Sequence, residues 1–235
     1  SHCFGLLYFR HCFLNCCGYN YCIDILCNPL SSLMKAYDSL IFKSLPGFID
    51  FSRNKLPIRP HDLMASGLID PAQQSAWDSA ASLALQAVQE ATQDTSPRIL
   101  RLHGDAHLGN VLWTPLDMPQ GGPHFVDLDD ARMGPAVQDL WMLVSTDARD
   151  RGWQWACLIE GYEQVRPFDR QELRWVEPLR TLRIIHYSAW LARRVDDPAF
   201  AQHFPWFATP AYWSEQIATL LEQAEACRAQ PPEVI

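Results

Sequence analysis

Lysine is nearly missing from this chain. Lys35, Lys43 and Lys55 are its only three in 235 residues, and every long cationic side chain beyond residue 55 is arginine. The formal net charge is -8 and the isoelectric point lies near 5.4. The clustered basic excess of a nucleic-acid footprint is therefore wanting, and no nucleic-acid partner is expected. Long apolar runs are lacking too. The cysteine-rich opening, SHCFGLLYFRHCFLNCCGYNYCIDILC, is broken by Arg10, His11, Asn15 and Asn20. Those interruptions exclude the unbroken core of a signal peptide and a membrane-spanning helix, so no membrane partner is expected. Cys12, Cys16, Cys17 and Cys22 repeat no paired spacing of the kind a zinc site uses. The chain also has no internal repeat and no low-complexity tract.

What is present is a globular composition, 48% hydrophobic with nine tryptophans, in a chain long enough for one sizeable core. It is uneven. Six of the eight cysteines fall within the first 27 residues, and only Cys157 and Cys227 follow. Residues 1–47 read as an atypical leader, unrelated to the rest or misassigned, and residues 48–235 as the functional lobe. Two thiols in so long a remainder suit reduced cysteines and a cytoplasmic location.

Along that lobe, Pro46-Gly47 marks a turn, and Pro57 and Pro60 keep the next stretch extended. Asp70-Pro71-Ala72-Gln73 predicts a helix start with Asp70 as N-cap, Pro71 at the first helical position and Gln73 reaching back. The helix runs to about Thr92, with Trp77, Ala81, Ala84, Val88 and Ala91 on one face. Short strands are expected at 99–102 and 111–113, and a third from His124 through HFVDLDD. Further helices start at Pro135, at the capping box Asp169-Arg-Gln-Glu172, where Pro178 kinks or splits the helix, and at Thr209-Pro210. The second half of the helix from Asp169 reads as a core helix carrying Leu182, Ile185, Trp190 and Leu191, with a wet flank of Arg180, Arg183, Arg193 and Arg194. PWF at 205–207 reads as packing, not as a ligand cage. The fold class expected is α+β, mainly helical, with a few short strands.

The chemistry concentrates in RLHGDAHLGNVLW, residues 101–113, a polar loop held between two apolar ends. His103-x-Asp105-x-His107 is a spacing that a metallohydrolase could use, with Asp127 as a bridging carboxylate, although the remaining histidines form no second such motif. A second template uses more of the residues. Asn110 and, 17 residues later, Asp127 supply an amide and a carboxylate oxygen of the kind magnesium prefers. Asp105 then remains to accept the proton of a hydroxyl nucleophile.

HGDAHLGNVLW followed by FVDLDDA resembles the phosphotransferase signature of the aminoglycoside phosphotransferase and choline kinase group, whose fold is similar to that of protein kinases. VDLDDARMGPAVQDLWML, EPLRTLRIIHYSAWLARR and DPAFAQHFPWF extend the likeness over roughly residues 48–230, towards the bacterial Ser/Thr protein kinases of that group. The resemblance implies the carboxy-terminal lobe of a kinase-like fold and an ATP- and Mg2+-dependent transfer to a hydroxyl-bearing acceptor, a protein Ser/Thr. It implies Asp105 as catalytic base, Asp127 as the second catalytic carboxylate and a magnesium ligand, and Asn110 as the other magnesium ligand. His103 braces the loop, and Asp139 accepts hydrogen bonds from catalytic-loop amides. Asp105 could instead cap its own loop, His107 could be a satisfied buried histidine, and Asp129 and Asp130 could be a solvated or Arg132-paired cluster.

Such a kinase also needs a phosphate-covering glycine loop and a phosphate-gripping lysine. No G-x-G-x-x-G precedes His103, and none of the three lysines lies in a V-A-I-K strand. The expectation is a lobe lacking its nucleotide-gripping half, with residues 1 to about 45 fused from elsewhere and weak ATP-magnesium binding. The alternatives are a metal-dependent hydrolase using His103, Asp105, His107 and Asp127, and a non-catalytic kinase-like fragment.

Overall fold

A computed structural model describes Leu63, residues 66–144, residues 148–229 and residue 231. The expectations for residues 1–47, for the turn at Pro46-Gly47 and for Pro57 and Pro60 lie outside the described residues. The described chain forms two compact units, one from residues 97–173 and one from residues 66–96 joined by residues 174–231. It is mainly helical with four short strands, the α+β class expected from the sequence.

The second unit is helical. Helix α1 (Gln74–Thr92) buries Trp77, Ala80, Ala81, Ala84, Ala87 and Val88, so four of the five positions assigned to its inner face are buried, with Ala91 half-buried. Its start differs from the expectation. Asp70 accepts from the Ala72 amide at 2.9 Å in a local turn, and the helix begins at Gln74. The Gln73 side chain, instead of reaching back, donates to Ser214 Oγ at 2.6 Å and to the Pro210 carbonyl at 3.1 Å. A tertiary partner outcompetes the local cap there.

Against α1 pack α4 (Val176–Ala192) and α6 (Pro210–Arg228). The alanines of α1 carry no bulk beyond Cβ and let a neighbouring helix approach closely. Trp77 meets Trp213 of α6 edge to face, with centroids 6.2 Å apart, a geometry that contributes about 0.5–1.5 kcal/mol beyond the area buried. The Trp213 indole N–H donates to the Leu68 carbonyl at 2.9 Å. Helix α6 starts where the sequence placed it, with Thr209 Oγ1 accepting from the Tyr212 amide. Phe207 lies in the buried core with Trp206 packed against it, which is the packing role expected of PWF. The break ahead of Pro178 is real. A 3-10 turn (Arg170–Trp175) gives way to α4, which takes Pro178 into its first turn, where a missing amide costs little.

The first unit contains the strands. β1 (Leu100–Leu102) pairs antiparallel with β4 (Arg132–Gly134), Arg101 opposite Met133. β2 (Val111–Thr114) pairs antiparallel with β3 (Gly122–Phe125), Val111 opposite Phe125. Two corrections follow. The strand expected from His124 through Asp130 begins at Gly122 and ends at Phe125, and β4 was not anticipated. Its three residues, Arg-Met-Gly, carry no alternating pattern, and only pairing with β1 makes them a strand. Helices α2 (Val137–Leu140) and α3 (Ala148–Glu163) follow, and Phe200–His203, in the second unit, forms the short α5.

This pairing positions the site. With β1 beside β4, the loop leaving β1 at residue 103 and the loop entering β4 up to residue 131 emerge at the same end of the ribbon. With β2 beside β3, the end of the first loop at Asn110 lies beside Val126.

Candidate active site

His103 is fully buried and tied by both ring nitrogens. Its Nδ1 accepts from the Asp105 amide at 3.3 Å, so the proton sits on Nε2, which donates to the Val126 carbonyl at 2.8 Å. The Val126 amide in turn donates to the Asn110 carbonyl at 3.0 Å. Val126 is thus gripped on both sides by the loop that carries Asp105. Asp127, the next residue, is delivered to the same place. Its backbone is left-handed, φ 64° and ψ 66°, which costs a non-glycine residue on the order of 1 kcal/mol or more. Such strain persists only where the surroundings dictate it, and here the clamp on Val126 supplies that dictation.

Asn110 is buried, and its Nδ2 donates to the Asp105 carbonyl at 3.0 Å. Anchoring the amide by its nitrogen leaves Oδ1 as the atom able to meet a cation. The backbone around Asp105 is held again by the His107 amide, which donates to the Asp105 carbonyl at 2.8 Å. The structure therefore brings Asp105, Asn110 and Asp127 into two adjoining loops tied directly to one another.

Behind the loop stands α2. Asp139, 5% exposed, accepts from the His103 amide with Oδ2 and from the Gly104 amide with Oδ1, both at 2.8 Å. This is the contact expected of it. Gln138 adds a bond that was not foreseen, its Nε2 donating to the Gly104 carbonyl at 3.2 Å. A signal existed, since Gln138 is an uncharged polar residue in the apolar run AVQDLWMLV, and buried polar groups need partners. Gly104 itself must be glycine. Its φ is +89°, and a Cβ would lie 2.1 Å from the Asp130 carbonyl oxygen and 2.6 Å from Arg132 Nε. Asp130 is paired with Arg132 at 2.9 Å, one of the arrangements expected of that cluster.

The hydrolase reading does not survive this geometry. A metal-binding histidine offers a nitrogen lone pair, and His103 has spent both ring positions on the backbone. No group of three or more His, Cys, Asp or Glu able to hold a metal occurs among the described residues. The pair carried by the two adjoining loops, the Asn110 amide oxygen and the Asp127 carboxylate, is one of hard oxygen donors. It suits magnesium, which fills much of its shell with water and phosphate oxygens.

The model of the phosphotransferase enzyme family matches residues 37–176. The chain belongs to that family. Among curated relatives, the serine/threonine protein kinase RdoA of Salmonella typhimurium is 45% identical over 166 residues, 71% of this chain and 48% of the relative. Stress response kinase A of Escherichia coli K12 is 50% identical over 133 residues, 57% of this chain and 39% of the relative. The chain thus spans about half the length, or less, of the curated relatives it matches. Two solved structures share the fold at low identity. The microcompartment-associated aminopropanol kinase gives a TM-score of 0.55 at 18% identity, covering 89% of this chain and 64% of that one. Amicoumacin kinase hAmiN, in complex with AMP-PNP, Ca2+ and Ami, gives 0.52 at 15% identity, covering 90% and 62%. The kinase-like fold expected from the motif is the fold observed. No helix among the described residues is long and apolar enough to cross a membrane.

In this phosphotransferase-family chain a second buried carboxylate backs the first. Glu172, 3% exposed, accepts from the Val137 amide at 3.0 Å, at the start of the helix that carries Asp139. The sequence predicts Glu172 as the far half of a capping box with Asp169; in the structure Asp169 Oδ1 accepts from the Gln171 amide and Glu172 takes a distant partner. Burial raises the Glu172 pKa above its usual 4.5, against the lowering effect of the Val137 and Ala136 amides. The folded state therefore binds this proton more tightly than the unfolded chain does. The stabilisation from the neutral acid is complete below pH 4.5 and is lost as pH rises through the elevated value. Glu172→Gln, which stays neutral and keeps an oxygen acceptor, should gain stability relative to the wild type between pH 4.5 and pH 7. Urea midpoints at the two pH values check this, and a variant-to-wild-type difference that does not move with pH would contradict it.

Proposed function

We propose that residues 48–235 are the catalytic lobe of an ATP- and magnesium-dependent phosphotransferase that transfers the γ-phosphoryl group to protein Ser/Thr hydroxyls in the cytoplasm, in a stress-response setting. The observation that carries the reading is the coupling of the two loops. Asp105 and Asn110 are bonded to each other, and Asn110 and His103 together hold the peptide that precedes Asp127. Phosphoryl transfer asks the protein mainly for position and charge neutralisation.

In this reading Asn110 Oδ1 and the Asp127 carboxylate would hold Mg2+, which would neutralise charge on the phosphates. The Asp105 carboxylate orients the acceptor hydroxyl and takes its proton as the new oxygen–phosphorus bond forms and the bond to ADP breaks. His103 and Asp139 keep the loop in shape and take no part in the chemistry. The protein acceptor is supported by the names of the curated relatives, a serine/threonine protein kinase and a stress response kinase. The small-molecule kinases share the fold at under 20% identity and so speak to the scaffold alone.

The test is label transfer from γ-labelled ATP by the whole protein with Mg2+, offered protein acceptors beside small amino alcohols and aminoglycosides. Label on serine or threonine of protein, abolished by chelation of Mg2+, is the expected result. Transfer only to the small molecules would overturn the acceptor class, and no transfer to either would overturn the activity.

A further inference from the structure

His107 is placed differently from His103, and its two nitrogens do two different things. Nδ1 accepts from the Gly109 amide at 3.0 Å, so its lone pair is used and the ring proton sits on Nε2. Nε2 lies 3.5 Å from Asp105 Oδ2. Both side chains are about one-fifth exposed, His107 at 21% and Asp105 at 19%, so the contact forms at the edge of the site. The ring also lies on the backbone of Gly109. A Cβ there would approach His107 Cε1 to 2.8 Å and Nδ1 to 2.9 Å, and glycine at 109 is what lets the imidazole settle.

This arrangement rules out two roles for the ring. With Nδ1 occupied and Nε2 protonated, the neutral imidazole has no lone pair left for a metal or for a substrate proton. What remains is an N–H whose nitrogen lies 3.5 Å from a carboxylate oxygen. The backbone of Asp105 is held on its amide by His103 and on its carbonyl by Asn110 and the His107 amide. Those bonds fix the Cα and leave the side-chain torsions to be set by contacts with the carboxylate itself. We propose that His107 is a positioning residue, whose Nε2–H, its tautomer locked by the Gly109 amide, holds the Asp105 carboxylate in its productive orientation. The 3.5 Å separation is of the looser kind that tightens when substrate binds. The inference rests on Asp105 being the base in the proposed function.

Two substitutions separate the two ends of the ring. His107→Asn keeps an oxygen near the place of Nδ1, able to accept from the Gly109 amide as Asp70 does from Ala72, but has nothing at the place of Nε2. His107→Gln puts an amide N–H near the place of Nε2 and gives up the cap. In the whole protein, His107→Asn should keep the wild-type Tm and the KM for ATP while kcat falls by about 10-fold to 100-fold, the scale on which a misplaced catalytic group costs rate. His107→Gln should melt lower yet turn over faster than His107→Asn. That crossing of stability and rate is what a merely structural histidine cannot produce. Wild-type kcat in His107→Asn, or losses in both variants that follow Tm, would overturn the proposal. Asp105→Asn, run beside them, keeps the two readings apart. If it retains turnover the base assignment fails, whereas if it is dead while His107→Asn is normal only the His107 inference fails. Independently of turnover, histidine 15N shifts must report a neutral imidazole protonated on Nε2 at residue 107, and an Nδ1-protonated ring would sink the proposal.

Discussion

Asp105→Asn is expected to lower phosphoryl transfer by about 10³-fold, within the range that a positioned general base contributes. The substitution keeps the size of the side chain and removes the group that accepts a proton. The backbone hydrogen bonds of residue 105 do not involve the carboxylate. The Asp105 amide donates to His103 Nδ1, and its carbonyl accepts from Asn110 Nδ2 and from the His107 amide. All three bonds are made by backbone atoms and survive the change. Kcat should therefore fall while the KM for ATP and Tm stay at wild-type values, measured by label transfer and thermal melting on the same preparation. A variant that still turns over within tenfold of the wild type would remove Asp105 from the chemistry.

Asp139→Ala is the second large effect, and it acts on stability first. The carboxylate accepts from two consecutive buried amides at 2.8 Å each, those of His103 and Gly104. Hydrogen bonds to a charged acceptor are worth about 1.5–3 kcal/mol each, and a buried amide left without its acceptor costs about 1–3 kcal/mol. Relief of the burial cost of the Asp139 charge offsets part of the loss, which leaves a net destabilisation of about 3 kcal/mol. Transfer activity should drop as well, because Gly104 and His103 lead directly into Asp105. Asp139→Asn is the informative companion. It keeps one oxygen acceptor and turns an NH2 towards the other amide, so it should fall between wild type and alanine in urea denaturation. Equal stability of all three proteins would show that the paired bonds do not hold the loop.

The bonds within the loop at 103–110 were legible in the motif because they join residues at short separations. Asp105 and Asn110 are five residues apart, close enough for the loop to bond them to each other in one turn. His103 and Asp105 are two apart, the reach of a ring nitrogen to an amide. The inner face of α1 and the Thr209 cap of α6 were likewise legible, since helical period and N-cap preference act within a few residues. Where expectation failed, a distant partner had taken over a local group. Gln73 turned to Pro210 and Ser214, and Glu172 left its capping box for Val137. β4 existed only because β1 lay beside it.

Residue types and near spacing were enough to announce the family and the polar, carboxylate- and amide-bearing character of the loop. Folding in three dimensions alone decided that Asp127 would adopt a left-handed backbone beside Asn110, that His103 would be consumed by backbone atoms, and that Asp139 would seat the loop from behind. The physical reason is range. Capping, helical period and turn chemistry act over a few residues, whereas the pairing of β1 with β4 and the buried bonds of Asp139 and Glu172 join residues some 35 positions apart, where many partners compete and only the packed structure selects one.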